Sequence, residues 1–391
     1  MDLSVIILNY NARVFLELCV ASVLRATENL HAEVIVADND STDDSVERLL
    51  KAFPQVKVIR LDDNYGFSKG NNVAVEQARG THVCLVNPDV IVGEKVFANC
   101  LDFFQSKALE VDGETAFLEQ SDKEVHTERS RGTKANSQIG FLGIQLIDGK
   151  GTYLPESKRR VPTRTGILKK ILGFSGSYYD QRLEQNQDGP TEVLVGAFLM
   201  GKREVYNRLG GLDERYFMYG EDIDLSFTAI KDGLQNYYLG SQTAIHFKGE
   251  STIKDAKYFE RFYGAMHLYY EKHYPKGKWL TGLLRYMTRF FKSRDTDIAS
   301  ITKELPVVCV TNDAAYQPDW ASRSISFKEF IQEGMSSSKY IFDLGSLEID
   351  KLIETLASTS NNQGQYRFLT WNRTAYAGSD TSTERGEVRI L

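Results

Sequence analysis

The 391-residue sequence predicts an α/β protein whose sheet is covered by helices on both faces, and three observations predict it. Short, continuously apolar runs recur through the first hundred residues, as strands buried on both faces require. Longer segments between them repeat their apolar residues at helical spacing. Several of the runs end in loops rich in Asn, Asp and Gly, at the carboxyl ends of strands where ligands of such sheets bind.

Residues 5–8 form the first apolar run, and the stretch after Asn11 is helical in composition and rich in Leu and Val. Residues 34–37 repeat the strand signal. Ser41-Thr42-Asp43-Asp44 then supplies capping side chains and first-turn acids, and Val46, Leu49, Leu50 and Phe53 follow at i, i+3, i+4 and i+7, so an amphipathic helix starts there. Residues 56–61 read as a third strand, 71–78 as a third helix and 83–86 as a fourth strand. From about 105 to 137 the sequence is polar, mixed in charge and without period, the pattern of a long surface insertion. Order returns at 140–147, followed by a basic, irregular stretch with Lys158, Arg159, Arg160 and Arg164. Residues 192–200 read as a strand. Residues 221–233 read as a helix with Ile223, Phe227 and Ile230 on one face, stopped by Gly233.

Between 276 and 294, Trp, Leu, Tyr, Met and Phe alternate with Lys and Arg, and there are no acids. This composition fits a helix lying on an anionic membrane surface, and equally one packed on its own protein with a solvated basic face. Strand signals near 307–310, 340–343 and 366–371, with helical stretches around Lys328 and Lys351, predict a second, smaller α/β unit. The expected organisation is a domain over 1–275 with its insertion at about 105–137, a basic connecting segment over 276–300 and an accessory domain over 301–391.

Composition narrows the function. Hydrophobic residues are 42% and charged residues 26%, so neither a disordered chain nor a fibre fits. A net charge of −6 gives no bulk attraction to phosphate backbones, and no nucleic acid is expected as a partner. Cys19, Cys84, Cys100 and Cys309 are scattered without metal-binding spacing and read as reduced, buried thiols. The N-terminal run is short, follows an acid and lacks a cleavage site, and nowhere are there 18 consecutive apolar residues. The expected location is the cytoplasm, with peripheral contact at the inner face of the cell membrane left open.

Four strand-end loops carry the polar chemistry. Asn9, Tyr10 and Asn11 follow the first strand, and Asp38, Asn39, Asp40 and Ser41 the second; amides and carboxylates there hydrogen-bond a base and ribose, or serve only as turn formers. In the third, Asn64, Gly66, Phe67, Lys69, Gly70 and Asn71 combine two glycines, a lysine and a following helix that suit a diphosphate. This loop has neither the GxGxxG nor the Walker pattern, so a dinucleotide or P-loop site is not expected. The fourth, Asn87-Pro88-Asp89, offers one carboxylate to a divalent cation.

Taken in order, these loops, with Gly210-Gly211-Leu212-Asp213-Glu214, Tyr219-Gly220-Glu221-Asp222-Ile223-Asp224-Leu225 and His246, resemble the family 2 glycosyltransferases over roughly residues 1–270, nearest to rhamnosyltransferase-like members that build bacterial surface polysaccharides. The resemblance implies a GT-A fold with a Rossmann-like mixed sheet, a UDP- or dTDP-linked sugar donor, a glycan or lipid-linked oligosaccharide acceptor, and inversion at the anomeric carbon. By position, Asn9, Tyr10, Asn11, Asp38, Asn64, Gly66, Phe67, Lys69, Asn71 and Asn87 would bind the nucleotide sugar. Tyr219 and Glu221 would lie on the acceptor side, and Asp222 would be the general base. Asp89, what remains of the family's Asp-x-Asp, and His246 would hold Mg2+ or Mn2+. Many relatives carry an arginine shortly after the acidic pair, where this chain has Ser226-Phe227-Thr228. Two other classes fit less well. A sugar nucleotidyltransferase needs a glycine-rich, arginine-containing first loop, which Asn9-Tyr10-Asn11-Ala12-Arg13 does not supply. A non-catalytic nucleotide-sugar binding or scaffold protein has no need of a base such as Asp222.

Overall fold

The computed structural model describes residues 1–107, 138–163, 178–248, 256–275, 305–333, 337–359, 364–380 and 386–391. Most of the expected insertion at 105–137 and the basic segment at 276–300 lie outside the described residues. The first strands and helices alternate as their periodicity requires: β1 (Leu3–Asn9), α1 (Arg13–Thr27), β2 (Ala32–Asp38), α2 (Ser45–Ala52), β3 (Lys57–Arg60), α3 (Gly66–Glu76), β4 (His82–Val86) and β5 (Val90–Val92). Then come β6 (Ile139–Ile147), β7 (Lys158–Arg159), β8 (Gly189–Thr191), β9 (Val193–Leu194), β10 (Phe198–Lys202), α4 (Arg203–Arg208), α5 (Glu221–Lys231), β11 (Gln235–His246) and α6 (Ala256–His273). The C-terminal part contains β12 (Val307–Val310), β13 (Arg323–Ile325), α7 (Phe327–Glu333), β14 (Lys339–Asp343), α8 (Ile349–Ser358), β15 (Gln365–Leu369), β16 (Ala375–Gly378) and β17 (Glu387–Ile390).

The first sheet runs β3-β2-β1-β4-β10-β6-β11-β5, with β8 beside β11. Strands β1 to β4 pair in parallel, whereas β10 is antiparallel to both β4 and β6, so the sheet is mixed. Alternation along β1 sends Val5 and Ile7 to one core with Leu16, Cys19 and Val20 of α1, and Ile6 and Leu8 to the other with Ala74 and Val75 of α3. Each such fully buried side chain contributes about 1.5–3 kcal/mol.

A second sheet, β13-β12-β14-β15-β16-β17, is parallel through its first four strands and antiparallel beyond. It packs on the first unit through α1, whose Val14, Phe15 and Leu18 form a second apolar stripe and join Val308, Phe342 and Phe368 in one core. Two stripes explain why 12 of the 15 residues of α1 are buried.

Three local readings of the sequence are corrected. The third helix begins at Gly66 rather than at 71, because the glycine-rich stretch forms its first turn. The strand expected over 192–200 is broken into β9 and β10, and the break presents the Gly196 N–H to a side chain. The 12-residue β11 carries no strand signal of that length in the sequence. Its Tyr, Gly, Ser and Gln residues hide the apolar run that marks the other central strands.

Candidate active site

With strand order β3-β2-β1-β4, chain direction across the sheet reverses between β1 and β4. Loops leaving such a point diverge and open a crevice at the carboxyl ends of the strands. Asn9 closes β1 and Asp38 closes β2 as register partners. The Asn9 amide donates to Asp38 Oδ1 at 2.8 Å, Ser45 Oγ at 2.8 Å and Ser41 Oγ at 3.0 Å, while its own Oδ1 is buried with no hydrogen-bond partner. Asn11 is left-handed at φ 55°, and its Oδ1 accepts the Thr42 N–H at 2.8 Å and the Asp43 N–H at 3.2 Å. Its side chain therefore ties the first loop to the second. Tyr10, at 37% exposure, is the one residue of this triplet whose ring reaches solvent.

The third loop is braced in the same way. Asn39 donates to Asn64 Oδ1 at 2.8 Å, and that oxygen also accepts the Gly66 N–H at 3.1 Å. Gly66 has φ 78°, and a Cβ there would overlap the Phe217 carbonyl, so only glycine fits. Phe67 N–H donates to the same Phe217 oxygen at 2.6 Å. Lys69 places its ammonium 3.6 Å from the centre of the Tyr65 ring, and Asn71 donates to Phe67 O at 2.9 Å within α3.

Across the crevice, β5 pairs with the end of β11 and sets His246 opposite Val90. His246 Nε2 lies 3.4 Å from Asp89 Oδ1. Asn87 Oδ1, Asp89 Oδ1 and His246 Nδ1 are all buried without hydrogen-bond partners. Orphaned buried polar atoms are costly, and a carboxylate beside an imidazole suits a hard divalent cation. These residues therefore fit Mg2+ or Mn2+. Among the described residues no group of three or more His, Cys, Asp or Glu side chains converges, so water and a ligand must complete such a coordination shell.

The acidic motif enters through two consecutive left-handed residues, Tyr219 at φ 75° and Gly220 at φ 84°. A left-handed tyrosine costs on the order of 1–3 kcal/mol and persists only where its surroundings enforce it. Here Tyr216 and Ala265 of α6 close on Gly220. Asp222, in the first turn of α5, is 7% exposed, and its Oδ2 accepts from Arg159 Nη2 at 2.6 Å and from the Gly196 N–H at 3.1 Å. Among the described residues its Oδ1 accepts the Ile223 N–H alone, at 2.7 Å, leaving a lone pair for an incoming hydroxyl. A Cβ on Gly196 would touch both Asp222 and the Phe67 ring, so the acid and the glycine-rich helix meet at that glycine. Burial opposes the charge on Arg159, but Asp222 and Tyr178 hold its pKa above the ordinary arginine value.

The other acids of the motif differ in role. Asp224 is anchored by Lys272 at 2.7 Å and His273 at 2.7 Å, both from α6, and Lys272 also reaches Asp213 at 2.9 Å. Asn72 fastens the preceding Gly211-Leu212 turn, donating to Leu212 O at 2.8 Å and accepting from Tyr206 at 2.6 Å. Glu221 is buried with its Oε2 unpartnered; desolvation first, and the Asp222 charge second, raise its pKa.

For Glu221 the sign of the linkage is clear. Between the ordinary glutamate value and the raised native one, the folded protein holds a proton that the unfolded chain has released, so this contribution to stability is lost as pH rises. Glu221→Gln removes that titration. Thermal denaturation should show the variant gaining on the wild type from about pH 5 to about pH 8. A difference that does not change with pH contradicts this.

The sequence singles out Asp222, Asp89 and His246 as candidates but gives no sign of the parts that Arg159, Asn72, Lys272 and His273 take around them. Arg159 stands 63 residues from its partner in a stretch that read only as basic, and no local signal links the two. Positive charge beside the acid comes from β7, and Ser226 is buried and accepts the Leu194 N–H at 3.3 Å.

The sequence profile of Glycosyl transferase family 2 matches residues 4–210. An N-acetylglucosaminyl-diphospho-decaprenol L-rhamnosyltransferase of Mycobacterium tuberculosis is 27% identical over 271 residues, covering 65% of this chain and 78% of the relative. The putative teichuronic acid biosynthesis glycosyltransferase TuaG of Bacillus subtilis is 36% identical over 240 residues, covering 57% of this chain and 89% of the relative. The crystal structure of S. aureus TarS 1-349 aligns with a TM-score of 0.43 at 19% identity, over 69% of this chain and 64% of that one.

Proposed function

The chain belongs to glycosyl transferase family 2, and from that we propose an inverting, metal-assisted transfer of a sugar from a nucleoside-diphosphate donor to a hydroxyl of a glycan or lipid-linked acceptor in bacterial surface polysaccharide synthesis. The observation that carries this reading is the Asp222 carboxylate, fixed through Oδ2 by Arg159 and Gly196 and accepting one backbone N–H at Oδ1 among the described residues, beside the Phe67 ring of the donor loop.

In such a transfer the acceptor hydroxyl loses its proton as it attacks, and negative charge grows on the departing diphosphate. Asp222 Oδ1 takes the proton. Asp38 and Asn9 present a carboxylate and an amide oxygen to a base that carries an imide N–H, as uracil and thymine do. Tyr10 offers a ring face, and Lys69 and the first turn of α3 suit the diphosphate. Asp89 and His246, with Asn87 beside them, would hold a divalent cation, which when bound neutralises charge on the leaving group. The mycobacterial relative is named for N-acetylglucosaminyl-diphospho-decaprenol, which supports a lipid-linked acceptor here. No helix among the described residues is long and apolar enough to cross a membrane, so access to such a lipid would rest on peripheral contact, for which residues 276–294 are the candidate.

The test is a panel of nucleotide sugars with Mg2+ or Mn2+, followed by thermal shift and diphosphate release. UDP or dTDP at about 100 times its Kd should stabilise the fold by about 2.7 kcal/mol. Asp89→Ala should lose the metal-dependent part of that gain. If no nucleoside diphosphate stabilises the protein, the reading fails. Stabilisation without turnover, even with acceptor lipids, would make it a nucleotide-sugar binding protein instead.

A further inference from the structure

The C-terminal sheet touches the catalytic unit at one place that matters for chemistry. Phe247 directly follows His246, and its N–H donates to the Asp89 carbonyl at 3.1 Å, so one residue is bonded to both halves of the candidate cation site. Its ring is fully buried between two others: Phe15 of α1 at 5.1 Å and Phe368 of β15 at 5.2 Å, the latter edge-on. Ile91 and Ile245 occupy the same core as Phe247, whereas Val90, Val92 and Ala244 belong to the core on the opposite face. The β5–β11 ladder that sets His246 opposite Val90 thus has one face covered by the C-terminal unit.

This contact is built to be rigid. Glu94, two residues beyond β5, accepts the Ile349 and Asp350 N–H groups with its two oxygens, both at 2.8 Å, and so caps the start of α8 from the other unit. Arg25 at the end of α1 donates to Leu347 O at 2.9 Å and pairs with Glu94 at 3.2 Å. At Gly93 and Gly151 a Cβ would overlap Asp350 and the Leu356 carbonyl, and at Gly149 it would come within 2.8 Å of Ser379 O. Three glycines of the catalytic unit are therefore used where the C-terminal unit approaches.

We propose that the C-terminal unit is a brace for the cation site, and that Phe368 is a positioning residue that holds Asp89 and His246 in register by pressing on Phe247. This rests on the metal-assisted reading above, but its readout is binding, not transfer. Residues that support metal ligands typically alter affinity 10- to 100-fold when changed. In the full chain holding UDP, titration with Mn2+ followed by EPR should give Phe368→Ala about ten-fold weaker Mn2+ binding than wild type. UDP binding in EDTA should change by less than about two-fold, since Asn9 and Asp38 are held by each other and by Ser41 and Ser45 rather than by the β5–β11 ladder.

The control is Phe330→Ala, an equal loss of ring in the same core that contacts Tyr340 and Phe342 but is not ring-paired with Phe247. It should lower stability and leave Mn2+ affinity near wild type. If Phe368→Ala does not fold, Phe368→Leu and Phe247→Leu should show the same loss at smaller size. Unchanged Mn2+ affinity in the Phe368 variants, or an equal loss in Phe330→Ala, overturns the proposal. A wild type that fails to bind Mn2+ overturns both it and the metal reading. A wild type that binds Mn2+ but transfers no sugar overturns only the proposed activity.

Discussion

Asp222→Asn should lower sugar transfer by about 10²- to 10⁴-fold, the usual worth of a positioned base. The carboxylate has no neighbour ready to replace it. Glu221, the adjacent acid, is itself buried, and the desolvation that chiefly raises its pKa persists when the Asp222 charge is removed. On the proposed reading donor binding is set by loops at Asn9, Asp38 and Gly66, which among the described residues make no hydrogen bond to Asp222, so kcat should fall while the donor KM holds. Stability also falls, because Asp222 is the counter-ion of a buried guanidinium at 2.6 Å. Activity must therefore be read well below the variant's own melting temperature, with nucleotide-induced thermal shift as the proof of folding. Retention of more than about a tenth of the wild-type rate in folded Asp222→Asn rules out the base assignment.

What the sequence shows and what it hides divides along physical lines. β1, β2 and β4 are legible because strands buried on both faces must be continuously apolar, and α2 because Val46 and Leu49 mark one face. The helical start at Gly66 is not legible, because the propensity of glycine argues against a helix that tertiary contact with Phe217 imposes. In the site, Asp222 and Asp89 stand out because acids at strand ends and helix starts recur in an ordered set. Their supports do not. Arg159 and Phe368 act across 63 and 121 residues of chain respectively, and nothing in their neighbours' spacing encodes the partner. Ligand-facing groups are written locally, and the groups that aim them are written in the topology.

Arg159→Met is the complementary experiment, with the largest expected effect on stability. It keeps the length and apolar stem of the side chain but leaves Asp222 as a buried charge facing an apolar group. Breaking a buried pair from one side costs about 3–5 kcal/mol, measured here by denaturant unfolding. The pair itself carries less than that, since two desolvated ions roughly offset their own attraction. Arg159→Met combined with Asp222→Asn should therefore be more stable than Arg159→Met alone, with a non-additive energy of about 1–3 kcal/mol in the double-mutant cycle. Transfer separates the roles. Arg159→Met retains the base but removes one of the two donors that fix Oδ2, leaving the Gly196 N–H alone to orient it, so kcat drops while the thermal shift with nucleotide persists. Arg159→Lys should restore part of the stability by restoring charge. It should restore less of the rate, because a lysine ammonium cannot reach Asp222, the Leu194 carbonyl and Tyr178 at once as the guanidinium does. If the three Arg159 and Asp222 variants lose stability additively, the ion pair is not what holds the base, and the orientation of Asp222 must come from the Gly196 turn alone.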